Sequence, residues 1–209
     1  MIILDCETTG LDPNEDLMLE IALLHVTDDL TRVLSRFDSL IRFDFAWWGG
    51  QINSRKTGEP HPAHVVMEMH QKSGLWDELE FTKHSAPHLR TVEESIFTWL
   101  DDQESRFGIE VAQEPLVGST ISFDRSFLKV HMPDVEKRFH YRNIDVSSVK
   151  ELTRRWRAPV YAHLPESRKI HRAVPDCYDT LNELLFYKQR VLDLLSTPYT
   201  PFKHEWPET

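Results

Sequence analysis

The chain has 209 residues, of which 40% are hydrophobic and 28% charged; 34 acidic side chains against 24 basic ones give a formal net charge of −10. That length suits one domain with a sizeable core, and the balance argues against disordered, collagen-like and low-complexity classes. The negative charge argues against gripping long nucleic acid through a basic surface, and no apolar run reaches the ~20 residues of a membrane span. The start, MIILDCETTG, has no basic n-region and meets an acid at its fifth residue, unlike a signal peptide. Two cysteines, Cys6 and Cys177, cannot build a disulfide framework, so a cytoplasmic chain with free thiols is expected.

Residues 1–6 read as a short buried strand running into a turn punctuated by Gly10 and Pro13. The apolar run 17–26 and the segment 32–43, with Val33, Phe37 and Ile41, flank a turn at Asp28 and Asp29. Three strands with short connections predict an antiparallel meander. Residues 44–62, with glycines and prolines, read as a long loop of the kind that is usually functional. Helices are predicted over 63–72 and 91–106, the second opening on Thr91 and Glu94 as a capping box. A short strand over 114–118, helices over 123–131 and 134–139, a strand over 141–146 and a helix over 147–156 follow. A proline-containing connector spans 157–170, and a last helix runs over 173–195 with Cys177, Leu181, Leu184, Lys188, Val191 and Leu195 on one face. Residues 1–196 read as a single domain and 197–209 as a proline-containing tail. This order of strands and helices predicts an α/β fold with a mixed sheet covered by helices.

Asp5 and Glu7 are two residues apart at the end of the first strand, so they share a face. Two carboxylates side by side on a buried sheet repel one another, and a divalent cation would relieve them. A D-x-E triplet alone is weak, since about one is expected by chance in a chain this acidic. Asp124 opens a second segment with turn-to-helix character. Asp176 follows Pro175 at the start of the last helix, because proline sits most easily in a first turn. His171, five residues before Asp176, falls on or just before that helix. A histidine beside metal-held carboxylates suits general-base work on a water.

Asp5, Glu7, Asp124, His171 and Asp176 resemble, in order and context, the motifs of DnaQ-like 3′→5′ exonucleases of the DEDDh type. The blocks MHQKSGL, HYRNIDVSSVKELTRRW and HRAVPD narrow the resemblance to oligoribonucleases, closest to an actinobacterial or phage branch, over residues 2–190. The resemblance implies a ribonuclease-H-like mixed sheet and hydrolysis of short RNA, above all 5′-phosphorylated dinucleotides, to mononucleotides. It implies two divalent ions, Mg²⁺ or Mn²⁺, held by Asp5, Glu7, Asp124 and Asp176, with His171 as general base. It also implies Leu11 as a wedge between bases, His70 lining the base pocket, and Thr120, Arg142 and Ser147 capping the 5′ phosphate. Tyr141 would reach into a partner's site, which makes the protein a homodimer. A general exonuclease acting on single-stranded DNA or RNA is the alternative.

The pattern departs from these relatives at several places. Thr8 stands where oligoribonucleases usually carry Met, Ser119 where Asn is usual, Pro175 where an acid is usual, and Val65 where some members carry a stacking Trp. The loop over 45–61 looks longer than the family's. Its Trp47 and Trp48 are expected to pack on protein rather than on a base. His61, His64 and His70 lack the accompanying cysteines of a zinc site. Lys150, Arg154, Arg155 and Arg157 are expected to be a solvated helix end paired with Glu151 or another acid. Cys6, pointing away from Asp5 and Glu7, is expected to fill the core.

Overall fold

The computed structural model describes residues 1–44, 62–168 and 170–192, with the backbone alone at 62–64 and 191–192. Trp47, Trp48, His61 and the 197–209 tail lie outside the described residues. Five strands form one sheet of order β3-β2-β1-β4-β5. They are β1 (Ile2–Thr8), β2 (Met18–Val26), β3 (Val33–Leu40), β4 (Pro115–Gly118) and β5 (His140–Asp145). β1, β2 and β3 pair antiparallel as a meander, while β4 and β5 run parallel to β1. All nine residues of β2 are buried, whereas β3, on the edge, has most of its residues exposed or half-buried.

The helices are α1 (Pro62–Ser73), α2 (Leu75–Thr82), α3 (Leu89–Phe107), α4 (Ser122–His131), α5 (Pro133–Glu136), α6 (Val146–Trp156), α7 (Ala158–Tyr161) and α8 (Ala173–Tyr187). Side-chain alternation along β1 divides them between two faces. Ile2, Leu4 and Cys6 enter one core with Val92, Ile96 and Leu100 of α3 and Phe127 and Leu128 of α4. Ile3 enters the other with Ala173, Cys177, Leu181 and Leu184 of α8. Asp5 and Glu7 therefore continue the face that α8 covers. A smaller cluster of Leu19, Phe43, Leu75, Trp76 and Leu79 seats α2 beside the start of β2.

Three expectations are corrected. The helix read from Thr91 starts at Leu89, with His88 as its N-cap in extended conformation, so Thr91 and Glu94 lie inside it and form no capping box. α2 was not anticipated, because its apolar residues are too few to show a period, and it is the cluster with Leu19 and Phe43 that stabilises it. The last α-helix ends at Tyr187 and continues as a π-helical turn over Lys188–Leu192. Cys6 is a buried filler whose thiol is pushed up by burial, and Arg154 and Lys150 pair with Glu151 and Glu183, as expected.

Gly118 ends β4 where a Cβ would stand 2.7 Å from Ile121 Cδ1 and 2.9 Å from the Leu4 carbonyl oxygen. Backbone cannot yield as a flexible side chain can. Gly118→Ala is expected to destabilise the fold by about 1–3 kcal/mol through overpacking, read as a lower urea midpoint with an unchanged slope.

Candidate active site

β1 ends beside an irregularity. Its register with β2 shifts between Glu7 and Thr8, releasing the chain into the turn after the strand. That turn is tightly tied. Thr9 N donates to the Leu17 carbonyl (2.9 Å), Thr9 Oγ1 to Asp16 (3.1 Å), and Asp12 N to the other Asp16 oxygen (3.0 Å). The closed turn holds Leu11 out into solvent, 66% exposed. Beneath it lies a cavity of 580 Å³ lined by Glu7, Leu11, Val65, Val66, Met69 and Phe123, among others.

Three carboxylates converge at its edge. One oxygen from each of Asp5, Glu7 and Asp176 lies within 4.8 Å of the others. Asp176 reaches the group from the first turn of α8, where Pro175, the third helical residue, lacks an N–H that the helix would leave unpaired anyway. Asp124, in the first turn of α4, is buried and accepts a 2.9 Å hydrogen bond from Cys6 N, between the two β1 acids. It stands next to the group but outside the set of three. Asp5 and Asp176 keep some exposure, while Glu7 and Asp124 are buried.

The electrostatics follow from this crowding. Burial first, then the neighbouring Asp124, Glu7 and Asp176, raise the Asp5 carboxyl well above its ordinary range. Burial and the facing acids push Glu7 to about 9, and burial pushes Asp124 to about 7 and Asp176 to about 6. Converging carboxylates of this kind suit a hard divalent cation that takes oxygen ligands, so the donor set fits Mg²⁺ or Mn²⁺.

His171 precedes α8 with its backbone in the left-handed region, φ 55°. Its imidazole opposes the rise of the Asp176 carboxyl. It lines a second cavity, of 600 Å³, that shares Val65 and Met69 with the first. His70 is fully buried. Its Nε2 contacts the Thr8 carbonyl at 2.8 Å, which requires a donating N–H, and Nδ1 faces Glu7 Oε2 across 3.8 Å. It thus braces the β1 end from behind the open cavity.

Of the remaining predicted positions, Thr120 and Ser147 meet just past the ends of β4 and β5, while Tyr141 and Arg142 lie toward the start of β5. The hydroxyls of Thr120 and Ser147 lie 3.0 Å apart, and Ser119 Oγ is also 3.0 Å from Ser147 Oγ. Asp145 N-caps α6, its Oδ1 accepting from Ser147 N at 2.9 Å and Thr120 N at 3.0 Å, and Thr120 is left-handed at φ 59°. Tyr141 is 72% exposed, with the Arg142 guanidinium over its ring at 5.2 Å. Sequence reading missed Asp145, Asp16, Glu20 and Arg172. A lone acid inside the apolar run of β2 was the available sign for Glu20.

The exonuclease family model RNase_T matches residues 2–44 and 80–184. The oligoribonuclease of Mycobacterium bovis is 35% identical over 189 residues, covering 90% of this chain and 80% of the relative. That of Mycobacterium leprae is 34% identical over 217 residues, covering 96% and 93%. The chain belongs to the oligoribonuclease family. Among solved structures, exonuclease I superposes with a TM-score of 0.63 at 13% identity, covering 92% of this chain and 41% of that one. The zinc-bound Escherichia coli exonuclease I–ssDNA complex gives 0.62 at 12% identity, covering 91% and 40%. The chain thus spans about two-fifths of exonuclease I, and the likeness shows a shared ribonuclease-H-like fold. The family model skips 45–79, which contains α1.

The raised carboxyls make the metal-free oligoribonuclease fold pH-sensitive. Each binds its proton more tightly folded than unfolded, so protons are taken up on folding. This contribution favours the fold below the unfolded values near 4 and is lost as pH rises through about 6, 7 and 9 for Asp176, Asp124 and Glu7. Chelated protein should therefore melt at progressively lower temperature as pH rises across that window. Mg²⁺ or Mn²⁺ should restore the loss most at alkaline pH. Asp5→Asn should raise the metal-free stability by about 1–2 kcal/mol and cancel the gain from added cation, both measurable by thermal melts.

Proposed function

We propose that the chain hydrolyses short oligoribonucleotides from the 3′ end, with 5′-phosphorylated dinucleotides as its best substrates, yielding mononucleotides. The observation that carries this reading is the convergence of Asp5, Glu7 and Asp176 from β1 and α8 beside a cavity headed by Leu11. Asp5, Glu7 and Asp176 would hold one divalent cation, and Asp124 with Asp5 a second, Mg²⁺ or Mn²⁺. When bound, such a pair lowers the pKa of water and neutralises charge on the leaving oxygen. His171 takes the proton from the attacking water at a ring nitrogen. Leu11 wedges between the two bases, and the cavity below it takes the apolar face of the 3′ nucleotide.

At the other end, the hydroxyls of Thr120 and Ser147 and the Arg142 guanidinium receive the terminal phosphate as charge-assisted hydrogen bonds. This cap explains how an acidic protein handles RNA: it needs a closed short-substrate pocket, not a basic groove. His70 braces the pocket through the Thr8 carbonyl. The exposed Tyr141 supports a homodimer in which it reaches the partner's pocket. Among the described residues no helix is long and apolar enough to cross a membrane, and the work assigned here, completing RNA turnover, belongs in the cytoplasm.

Labelled RNA of two, three, five and seven nucleotides, with matched DNA, tests the reading. The RNA dinucleotide should be cleaved fastest, and EDTA should stop the reaction. Similar rates on long RNA or DNA would instead identify a general 3′→5′ exonuclease. His171→Ala should lower kcat by about 10²–10⁴-fold with KM little changed. Leu11→Ala should chiefly raise KM. Light scattering should give twice the chain mass, and a monomer would remove the role given to Tyr141.

A further inference from the structure

Glu20 stands directly across from Glu7 in the β1–β2 register, and it is buried. It faces Arg172 rather than joining the three-carboxylate group. Arg172 Nε donates to Glu20 Oε2 at 3.0 Å and Nη2 to Glu20 Oε1 at 2.8 Å, a two-bonded fork. The backbone N–H of Ala173 adds a third bond to Glu20 Oε2 at 3.0 Å. Nη2 also donates to Glu78 Oε2 on α2 at 2.6 Å. One guanidinium thus ties β2, α2 and the N-terminus of α8 together.

The residue before this clamp is His171, whose left-handed backbone persists only where its surroundings over-determine it. Among the described residues no hydrogen bond holds its ring, so the left-handed backbone alone sets the direction in which the side chain leaves the turn. The chain before it is pinned as well. Arg168 donates from Nε to Asp179 Oδ1 at 3.1 Å and from its backbone N–H to Oδ2 at 2.8 Å. The turn is stapled to α8 on one side and to β2 and α2 on the other.

We propose that Arg172, acting through Glu20, is a positioning residue for His171: the ion pair holds the left-handed turn and so aims the imidazole at the carboxylate group. This rests on the reading of His171 as the general base. Misplacing a base by an ångström costs as much as 10²-fold in rate, so the clamp has a kinetic consequence although neither Arg172 nor Glu20 is assigned a contact with substrate.

The test uses the full chain, the 5′-phosphorylated RNA dinucleotide and Mg²⁺, with crystal structures of the variants alongside. Arg172→Gln and Glu20→Gln should each lower kcat by about 10- to 100-fold with KM nearly unchanged. The double variant should be no worse than the worse single one, because the two residues act as a unit. In a His171→Ala background Arg172→Gln should cost nothing more, since no imidazole remains to be aimed. The crystal structure of Arg172→Gln should show residue 171 leaving the left-handed region. If Arg172→Gln fails to fold, Arg172→Lys carries the test, as it keeps the charge but lacks the fork. A further full loss in the His171→Ala background, a loss confined to KM, or an unmoved residue 171 would overturn the proposal. Equal rates for the parent chain and His171→Ala would sink the base assignment itself. The φ at residue 171 in Arg172→Gln would then separate that failure from failure of the clamp.

Discussion

Asp5, Glu7, Asp124 and Asp176 repel one another, and the fold must hold them together in spite of it. Burial raises the proton affinity of all four, and the neighbouring acids add to the rise at Asp5 and Glu7. Burial elsewhere supplies the restraint. Ile2, Leu4 and Cys6 anchor one face of β1 in the α3–α4 core, and Ile3 anchors the other against α8, so the acids at the strand's end have no freedom to separate. Two of the four sit in the first turns of α4 and α8, where the helix dipole and free backbone N–H groups favour negative charge. The rest of the repulsion is left for a cation, which couples folding stability to the chemistry.

The parallel arrangement of β1, β4 and β5 explains why the site has two ends. Parallel strands point their carboxyl ends to the same rim of a sheet, where ligands of α/β folds gather. Asp5 and Glu7 lie toward the end of β1, Thr120 just past β4, and Asp145 and Ser147 at the β5–α6 junction. One rim therefore carries a carboxylate-rich end and a hydroxyl-rich end. The spacing between them is set by the sheet rather than by a loop. A substrate read at both ends, as proposed, would be limited in length by that rigid spacing.

Strain marks both ends. His171 and Thr120 are left-handed without being glycine, and in each case a neighbouring carboxylate ties down the turn. Asp145 holds Thr120 by its backbone N–H, and Glu20 holds the two residues after His171. Carboxylates thus stand in two settings here: some converge in a cluster that fits a cation, and others are neutralised by N–H groups or a guanidinium and set backbone shape.

That β1 and α8 meet was decided by packing. The period of two in DCE, however, put Asp5 and Glu7 on one strand face, and the proline before Asp176 put it in a first helical turn, because local geometry dictates those directions. The same holds for most helices and strands, whose hydrophobic periods are local. Thr91 and Glu94 misled because a capping box is a short pattern that also occurs inside a helix, while α2 was invisible because its stability comes from Leu19 and Phe43, distant in the chain. Neither spacing nor propensity could show that Glu20 turns to Arg172 while Glu7, its cross-strand neighbour, joins the carboxylate group. Nor could they show that His70 is sealed behind Thr8. Those outcomes depend on which charges meet across 62 to 152 residues of chain, and only the packed sheet and helices bring them within bonding distance.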